Sequence, residues 1–212
     1  MGMKLGMVFV STQPDGFFGT TPPFDSSRIG RVCGLLGYKK VRKKKKVEIY
    51  DVLSPRGKDF ALGIYDGGLF YAAETVLDSN LLDVFEKLKD RVLVDYPNAE
   101  TLVVQTYDVV NLFGYALYRG SELIRAFGGD GDNGVTVDIG PLQPEEKPAF
   151  EASKVILGER FFFDTRMPLI PFKVTSYGGT LAEAMMVRFL GCDLFRAAGK
   201  FNLHVELFEN NA

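Results

Sequence analysis

Residues 101–127, TLVVQTYDVVNLFGYALYRGSELIRAF, decide the fold of this chain. Residues 102–107 and 113–118 are rich in β-branched, aromatic and aliphatic side chains and contain no proline, so each predicts a β-strand. Gly120-Ser121 then reverses the chain into another strand over residues 123–127, because glycine takes the positive φ at the first central position of a two-residue turn without strain. The stretch therefore predicts three strands, of which the last two form a hairpin.

Counting outward from this turn predicts the side of the sheet on which each hairpin residue lies. It places Leu117 opposite Ile124 on one face and Arg125 opposite Ala116 on the other. Both faces are largely apolar, as expected for a hairpin in the middle of a sheet covered on both sides. Arg125 is therefore expected between aromatic side chains, above the small Ala116 and Gly114. Because an unpaired buried charge is costly, it needs an acidic partner.

The nearest acids that the chain can bring back to Arg125 belong to residues 140–147, GPLQPEEK. Pro144 suits the first position of a helix, and Glu145 and Glu146 then fall in the first turn, where the helix dipole favours negative charge. We predict a helix over residues 144–157 and an ion pair between Arg125 and Glu146.

Two short motifs resemble those of a group of uncharacterised bacterial domains. The first is the hairpin GYALY, residues 114–118, with its return strand LIRA, residues 123–126, and the second is GPL, residues 140–142, leading to Glu145 and Glu146. In that group, a hairpin ending in Arg is followed by a Gly-x-Leu-x-x-Glu-Glu helix start. The resemblance implies a shared folding unit, and since the group has no known activity, it implies no function.

Strand signals recur along the chain with turns between them, without repeated strand-helix-strand spacing. Residues 60–65 and 68–73 flank Asp66-Gly67, a strong short hairpin signal, and with residues 47–53 they predict a meander. Further strands are predicted at residues 5–10, 135–139 and 201–208. The chain is therefore expected to form a mainly antiparallel sheet built of β-hairpins, with the hairpin of residues 113–127 at its centre.

About three helices are expected to pack on this sheet. One opens at Asp78 or Ser79, the second covers residues 144–157, and the third opens with a capping box of Thr180 and Glu183. No Pro-, Ser- or Gly-rich linker divides the chain, so residues 1–212 are predicted to be a single α+β domain.

Composition and motifs exclude several classes of protein. The chain has two cysteines outside any Cys-x-x-Cys pair and one histidine, so a disulfide scaffold and most zinc or non-haem iron sites are out of reach. No P-loop, nucleophile elbow or dinucleotide fingerprint is present, and we predict no metal and no cofactor. Without a signal-peptide pattern or an apolar stretch of membrane-spanning length, a cytoplasmic protein with no membrane association is predicted.

Residues 39–46, KKVRKKKK, carry seven cations in eight positions. They are open to two interpretations, a phosphate-binding surface for nucleic acid or an edge strand or hairpin tip protected by lysines. Only Val41 interrupts the run, whereas nucleic-acid surfaces interleave aromatic side chains. The net charge of −2 also gives no general attraction to nucleic acid. The edge-strand interpretation is favoured.

Three functions of different classes are compatible with these features. The first is a non-catalytic binding or interaction domain of a soluble bacterial-type protein, which binds a protein partner or a small anionic ligand. The second is an enzyme acting on a phosphate- or carboxylate-bearing small molecule, and the third is a nucleic-acid binder that uses residues 39–46. The candidate ligand-binding residues are Arg125, Glu146, Glu145, Tyr118, Tyr107 and Asp108. A solvent-open Arg125 would favour a ligand site, and a sealed one would favour a structural role.

Overall fold

The computed structural model of the chain describes residues 4–49, 55–90, 93–164, 167–193 and 203–211. The strands in these ranges are, in chain order, β1 Lys4–Ser11, β2 Val41–Glu48, β3 Asp59–Tyr65, β4 Gly68–Ala73, β5 Glu100–Tyr107, β6 Leu112–Arg119, β7 Glu122–Asp130, β8 Gly134–Ile139, β9 Lys154–Ile156, β10 Glu159–Asp164, β11 Met167–Lys173 and β12 His204–Asn210. The α-helices are α1 Ile29–Leu35, α2 Glu74–Leu77, α3 Leu81–Lys89, α4 Lys147–Ala152 and α5 Val174–Leu190.

Nine strands form one large sheet in the order β2-β12-β3-β4-β1-β5-β6-β7-β8, and β11, β10 and β9 form a small sheet. The paired strands run antiparallel in both sheets. Three of the described helices, α1, α3 and α5, have seven residues or more. The prediction of an α+β fold with a mainly antiparallel sheet and about three packed helices is therefore confirmed.

The order of the strands differs from the predicted one at two places. β12 inserts between β2 and β3, so the predicted meander of residues 47–53 with 60–65 is wrong where the chain is described, and residues 50–53 lie outside the described ranges. The central strand is β1, whereas the hairpin of residues 113–127 lies nearer the β8 edge. Seven of the eight β1 residues are buried. Pairings between such distant segments are set by burial and leave no local turn signal.

The start of α5 illustrates how packing overrides local propensity. The helix begins at Val174, so Thr180 and Glu183 lie inside it and the predicted capping box is wrong. Gly178 is buried against β6, and a Cβ there would lie 2.1 Å from the ring of Phe113. The glycine therefore permits a close approach of helix and sheet that outweighs its low helix propensity.

The two other helix starts also shift. Asn80 caps α3, because its side chain accepts a hydrogen bond from the Leu82 backbone N–H at 3.1 Å. Asp78 instead ends α2, and the Ser79 hydroxyl donates to the Thr75 carbonyl at 2.8 Å. Neither is the cap, contrary to prediction.

The second predicted helix, over residues 144–157, is also too long. α4 covers Lys147–Ala152, with Glu146 at its N-cap position. Residues Lys154–Ile156 form β9 because they pair with β10. The acids before α4 therefore belong to the turn that leads into the helix.

Helices and loops cover both faces of the large sheet. On one face, α5, α4 and the small sheet pack over a core that includes Phe9, Phe113 and Met185. On the other face, α1, α2 and α3 pack over a core that includes Val103 and Phe85. The α5 side at the β6–β8 end of the sheet is where the predicted site residues must be sought.

Candidate functional site

Arg125 lies on the opposite face of the sheet from the predicted one, because β7 carries a β-bulge. The register shifts after Tyr118, so that Arg125 pairs with Leu117 and the predicted pairing with Ala116 is wrong. Ile124 is the extra residue, and nothing in the turn sequence announces a bulge there. The shift turns Arg125 toward α5 and the aromatic core.

Arg125 and Glu146 form the predicted ion pair. The Arg125 Nε donates to both carboxylate oxygens, at 3.0 Å and 3.1 Å. Its Nη2 lies 3.0 Å from Oε1, at an angle outside hydrogen-bond geometry, so that contact is Coulombic. The side chains are 1% and 0% exposed. The pair is sealed from water.

Neighbouring groups complete the coordination of both charges. The Tyr115 hydroxyl donates to Glu146 Oε1, and the Gln143 backbone N–H donates to Oε2 at 2.8 Å. On the other side, the Arg125 Nη1 donates to Asp138 Oδ1 at 2.5 Å. The Phe127 ring lies 5.2 Å from the guanidinium carbon. Arg125 is thus held against an aromatic ring, as predicted.

Burial and charge shift the pKa values in this cluster. Burial raises the pKa of Tyr115, and the adjacent Glu146 carboxylate raises it further. Burial alone would lower the pKa of Arg125, but hydrogen bonds to Glu146 and Asp138 raise it above its ordinary value. The cluster therefore keeps a neutral phenol and a charged guanidinium.

Glu145, although adjacent to Glu146, belongs to a different ionic network. Its Oε1 accepts from Arg188 Nη1 at 3.1 Å. Arg188 also donates to Glu100, at 2.6 Å and 2.9 Å, and Arg119 donates to the same carboxylate. Burial would raise the pKa of Glu100, but the two arginines lower it below its ordinary value.

The remaining candidate residues are not brought to Arg125. Tyr118 lies on the opposite face, stacked on Phe85 with 3.6 Å between ring centroids, and burial raises its pKa to about 12. Tyr107 pairs with Leu112, five residues along β6 from the partner of Arg125, which is roughly 17 Å away at 3.3 Å per strand residue. Asp108 follows Tyr107 at that distant end. The six predicted residues therefore do not form one site.

A cleft next to the Arg125 cluster was not predicted. It has a volume of about 450 Å³ and lies between the β7–β8 hairpin, the small sheet and the start of α5. Phe127, Phe150 and Phe162 line it, with neighbouring rings at near-perpendicular angles and 5.2–5.7 Å between centroids. The aromatic run of residues 161–163 is the sequence signal that could have pointed to it.

Charged side chains also line the cleft. Asp138 is held by Arg125, and Glu159 pairs with Lys173 at 2.9 Å. Arg160 donates to the Ser153 hydroxyl at 2.6 Å, and its guanidinium carbon lies 5.6 Å from the Phe150 ring centroid. No carboxylate among the described residues pairs with Arg160, so it leaves positive charge at the cleft.

The basic run of residues 39–46 lies along β2, at the edge of the large sheet. The favoured edge-strand interpretation is confirmed. Within the described part of the chain, three of its cations pair with acids of β12 and β3, and these pairs are Arg42–Glu209, Lys43–Glu206 and Lys44–Asp59.

Comparison with known proteins places the chain in a family. The model of a family described as a family of unknown function, DUF6928, matches residues 6–203, consistent with the resemblance of the hairpin and helix start to uncharacterised domains. No curated protein and no solved structure matches. Among the described residues, no helix is both long enough and apolar enough to cross a membrane.

Proposed function

The chain belongs to DUF6928, a family of unknown function, and we propose that it is a non-catalytic binding domain for a small molecule with a flat apolar body and an anionic group. The cleft lined by three phenylalanines carries this proposal. Its volume of about 450 Å³ falls within the range of small-molecule sites, about 300–1,000 Å³. Location in the cytoplasm and bacterial origin stay predictions.

The aromatic lining favours a flat apolar body. Phe150 is the partly exposed ring of the cleft, and behind it lie Phe127 and Phe162, which are 3% and 0% exposed and pack edge-on against it. Aromatic groups stack edge-to-face or offset on such a ring. The base of the cleft is firm, because Phe162 is itself stacked on Tyr177 with 5.0 Å between centroids. A ligand ring would therefore enter a preformed surface.

Arg160 is the part of the lining that can receive an anion. Glu159 is neutralised by Lys173, and Arg125 is shared between Asp138 and the buried Glu146, whereas Arg160 has a hydroxyl and a ring, and no carboxylate, as its partners among the described residues. Guanidinium groups form charge-assisted hydrogen bonds with carboxylates and phosphates. Arg160 is the residue we assign to the anionic group.

The sealed state of Arg125 supports a role without catalysis. Neither Arg125 nor Glu146 is accessible to a bound molecule, since both side chains are almost completely buried. A general acid or base must come within hydrogen-bond reach of the substrate. The enzyme alternative, which used Arg125 with Glu145 or Glu146, therefore receives no support from this geometry.

Calorimetric titration of the full chain tests the proposal. The probes are phenyl phosphate and benzoate, with neutral benzyl alcohol and inorganic phosphate as comparisons. We expect one of the aromatic anions to bind at least about tenfold more tightly than either comparison, since both the ring and the charge contribute. Equal affinity for benzyl alcohol would remove the anionic requirement, and no binding of any aromatic probe would refute the site.

Matched variants locate the binding. Arg160→Gln should weaken the binding of the aromatic anion by about tenfold, which corresponds to the loss of one charge-assisted hydrogen bond. The affinity for benzyl alcohol should stay unchanged. Arg31→Gln is the control, because Arg31 is also exposed and pairs with Asp95 away from the cleft. An equal effect of both variants would mean that the anion is bound by general surface charge.

A further inference from the structure

A second cavity lies on the face of the large sheet opposite the cleft. It has a volume of about 330 Å³ and lies between β4, the end of α1, and the helices α2 and α3. Its apolar walls are aliphatic and are formed by Leu36, Val76, Val84 and Leu88. The last three are almost completely buried, so this wall is part of the core. The cavity has the size of a small-molecule site.

Lys87 directs its charge along this cavity. Asp83 lies one turn earlier on α3, at the spacing at which helix side chains pair. In the described part of the chain, however, Lys87 forms no ion pair with Asp83 or with another acid. Its Nζ instead donates to the Ser79 hydroxyl at 3.0 Å, and both residues line the cavity. Because the hydroxyl is neutral, the charge of Lys87 stays available to an anion.

Hydroxyl groups of the same cavity add a hydrogen-bond donor. Tyr71 is 6% exposed, and its hydroxyl lies 2.8 Å from that of Tyr38 and 3.4 Å from that of Thr75. Tyr71 and Thr75 both line the cavity. Tyr38 is held in place by stacking on Phe60, with 3.9 Å between ring centroids. When the hydroxyls donate in the order Tyr38, Tyr71, Thr75, the proton of Thr75 remains for an acceptor in the cavity.

We propose that this cavity binds a short aliphatic carboxylate. The carboxylate oxygens accept from the Lys87 ammonium and the Thr75 hydroxyl, and the hydrocarbon chain lies against Val84 and Leu88. Each methylene group removed from water adds to the affinity. The walls here are aliphatic, whereas phenylalanines line the cleft, so the two sites favour different ligand bodies. This second site does not depend on the first.

An NMR titration of the isotope-labelled full chain with hexanoate tests the proposal, because amide shifts report both affinity and location. We expect saturable shifts within residues 75–88, with a Kd in the millimolar range or below. Hexanol lacks the charge and acetate lacks the chain, so each should bind at least about tenfold more weakly. The absence of saturable shifts at these residues overturns the proposal, and so does equal affinity for hexanol.

Variants of two lysines on the same helix locate the charge. Lys87→Met should weaken hexanoate binding by about tenfold, which corresponds to the loss of one charge-assisted hydrogen bond. Lys89→Met is the matched control, because Lys89 also lies on α3 but pairs with Glu86 at 2.5 Å. Thr75→Val removes the hydroxyl and keeps the shape of the side chain, and should weaken binding by about threefold. Equal losses from the two lysine variants would mean binding by general surface charge and would refute the site.

The cleft provides a second reference. Arg160→Gln should leave hexanoate binding unchanged, because Arg160 lies on the other face of the sheet. Hexanoate binding that is lost in Arg160→Gln and kept in Lys87→Met would place the anion in the cleft and overturn the proposal. Thermal denaturation should show folded variants, since the side chains of Lys87 and Thr75 are exposed and their replacement leaves the core intact.

Discussion

The two ends of the large sheet use ion pairs in opposite ways. At the β2 end, many exposed cations meet single acids, as in Arg42–Glu209. At the β7 end, one buried cation, Arg125, is surrounded by acceptors and pairs with Glu146. Water screens the exposed pairs, whereas a buried pair cannot lose one member without leaving the other charged and dry. The number of charges in a stretch therefore does not measure its effect on stability.

The largest effect is expected at the buried pair. Arg125→Met should lower the free energy of unfolding by about 3–5 kcal/mol, because it leaves Glu146 buried without its cation. Glu146→Gln should be similarly harmful, since Arg125 then keeps only Asp138 as a charged partner. Urea denaturation, with circular dichroism as the readout, measures both.

The double variant distinguishes coupling from independent damage. Arg125→Met combined with Glu146→Gln should cost clearly less than the sum of the two single changes, because neither charge is then left unpaired. Arg31→Met is the control, because the Arg31 side chain is 62% exposed. Its replacement should change the free energy of unfolding only slightly. Strictly additive losses would show that the two side chains are not energetically coupled.

The accuracy of the sequence predictions also differs between these regions. The lysine run correctly predicted an edge strand, since a strand at the edge of a sheet can be recognised from its local composition alone. The Arg125–Glu146 pair was predicted from the cost of burying a charge. The predicted register was wrong, because it did not include the bulge at Ile124. Because a buried charge needs a partner on either face of the sheet, the predicted ion pair is correct although the predicted face is wrong.

Other features depend on long-range packing and could not be predicted. The insertion of β12 beside β2 joins segments far apart in the chain, and the cleft needs Phe127, Phe150 and Phe162 from three separate elements. The grouping of Tyr107 with Arg125 failed because β6 lies between β5 and β7, and because Tyr107 pairs with Leu112, far along β6 from the partner of Arg125. That residues 1–212 form a single domain stays a prediction.

Glu100 has an intermediate place in the comparison, because it is buried but held by two arginines. Glu100→Gln should reduce the free energy of unfolding at neutral pH by about 2 kcal/mol, since Arg188 loses one of its two charged acceptors and keeps Glu145. The side chains of Glu100 and Arg188 are 8% and 14% exposed. Urea denaturation at pH 7 measures this loss.

The pH dependence of this effect has a defined sign. The arginines lower the pKa of Glu100 in the folded protein below its ordinary value of 4.5, so its stabilisation is complete above pH 4.5 and is lost as pH falls through the folded pKa. The curves of parent and Glu100→Gln should therefore converge in acid. Glu122→Gln, an exposed control, should follow the parent. Curves that stay parallel down to low pH would contradict the assignment.

A smaller effect on stability is expected at Lys43, the lysine of the basic run that pairs with the buried Glu206. Glu206 is 3% exposed and pairs with Lys43, while its Oε2 lacks a hydrogen-bond partner among the described residues. Lys43→Met should cost about 1 kcal/mol, the lower end for leaving a buried polar group without its partner. Lys43→Arg should restore most of the loss, and Lys45→Met should have no such effect. Equal losses at positions 43 and 45 would point to strand propensity instead.

The smallest effect is expected at Lys45 and Lys46, two lysines of the run that have no carboxylate partner within the described part of the chain. Their replacement by glutamine should leave the urea midpoint unchanged, because both side chains are exposed and no buried charge depends on them.

Nucleic-acid binding by the basic run should also be negligible at physiological salt. Each phosphate contact would contribute a slope of about −0.9 to the dependence of log K on log salt, so a real nucleic-acid surface would show a steep salt dependence. The electrophoretic shift of generic duplex DNA and single-stranded RNA measures this, and reversing residues 43–46 to glutamate provides the comparison. Tight, salt-sensitive binding that disappears on reversal would mean that the exposed charges serve a partner, and the contrast between the two ends of the sheet would then be one of function as well as of stability.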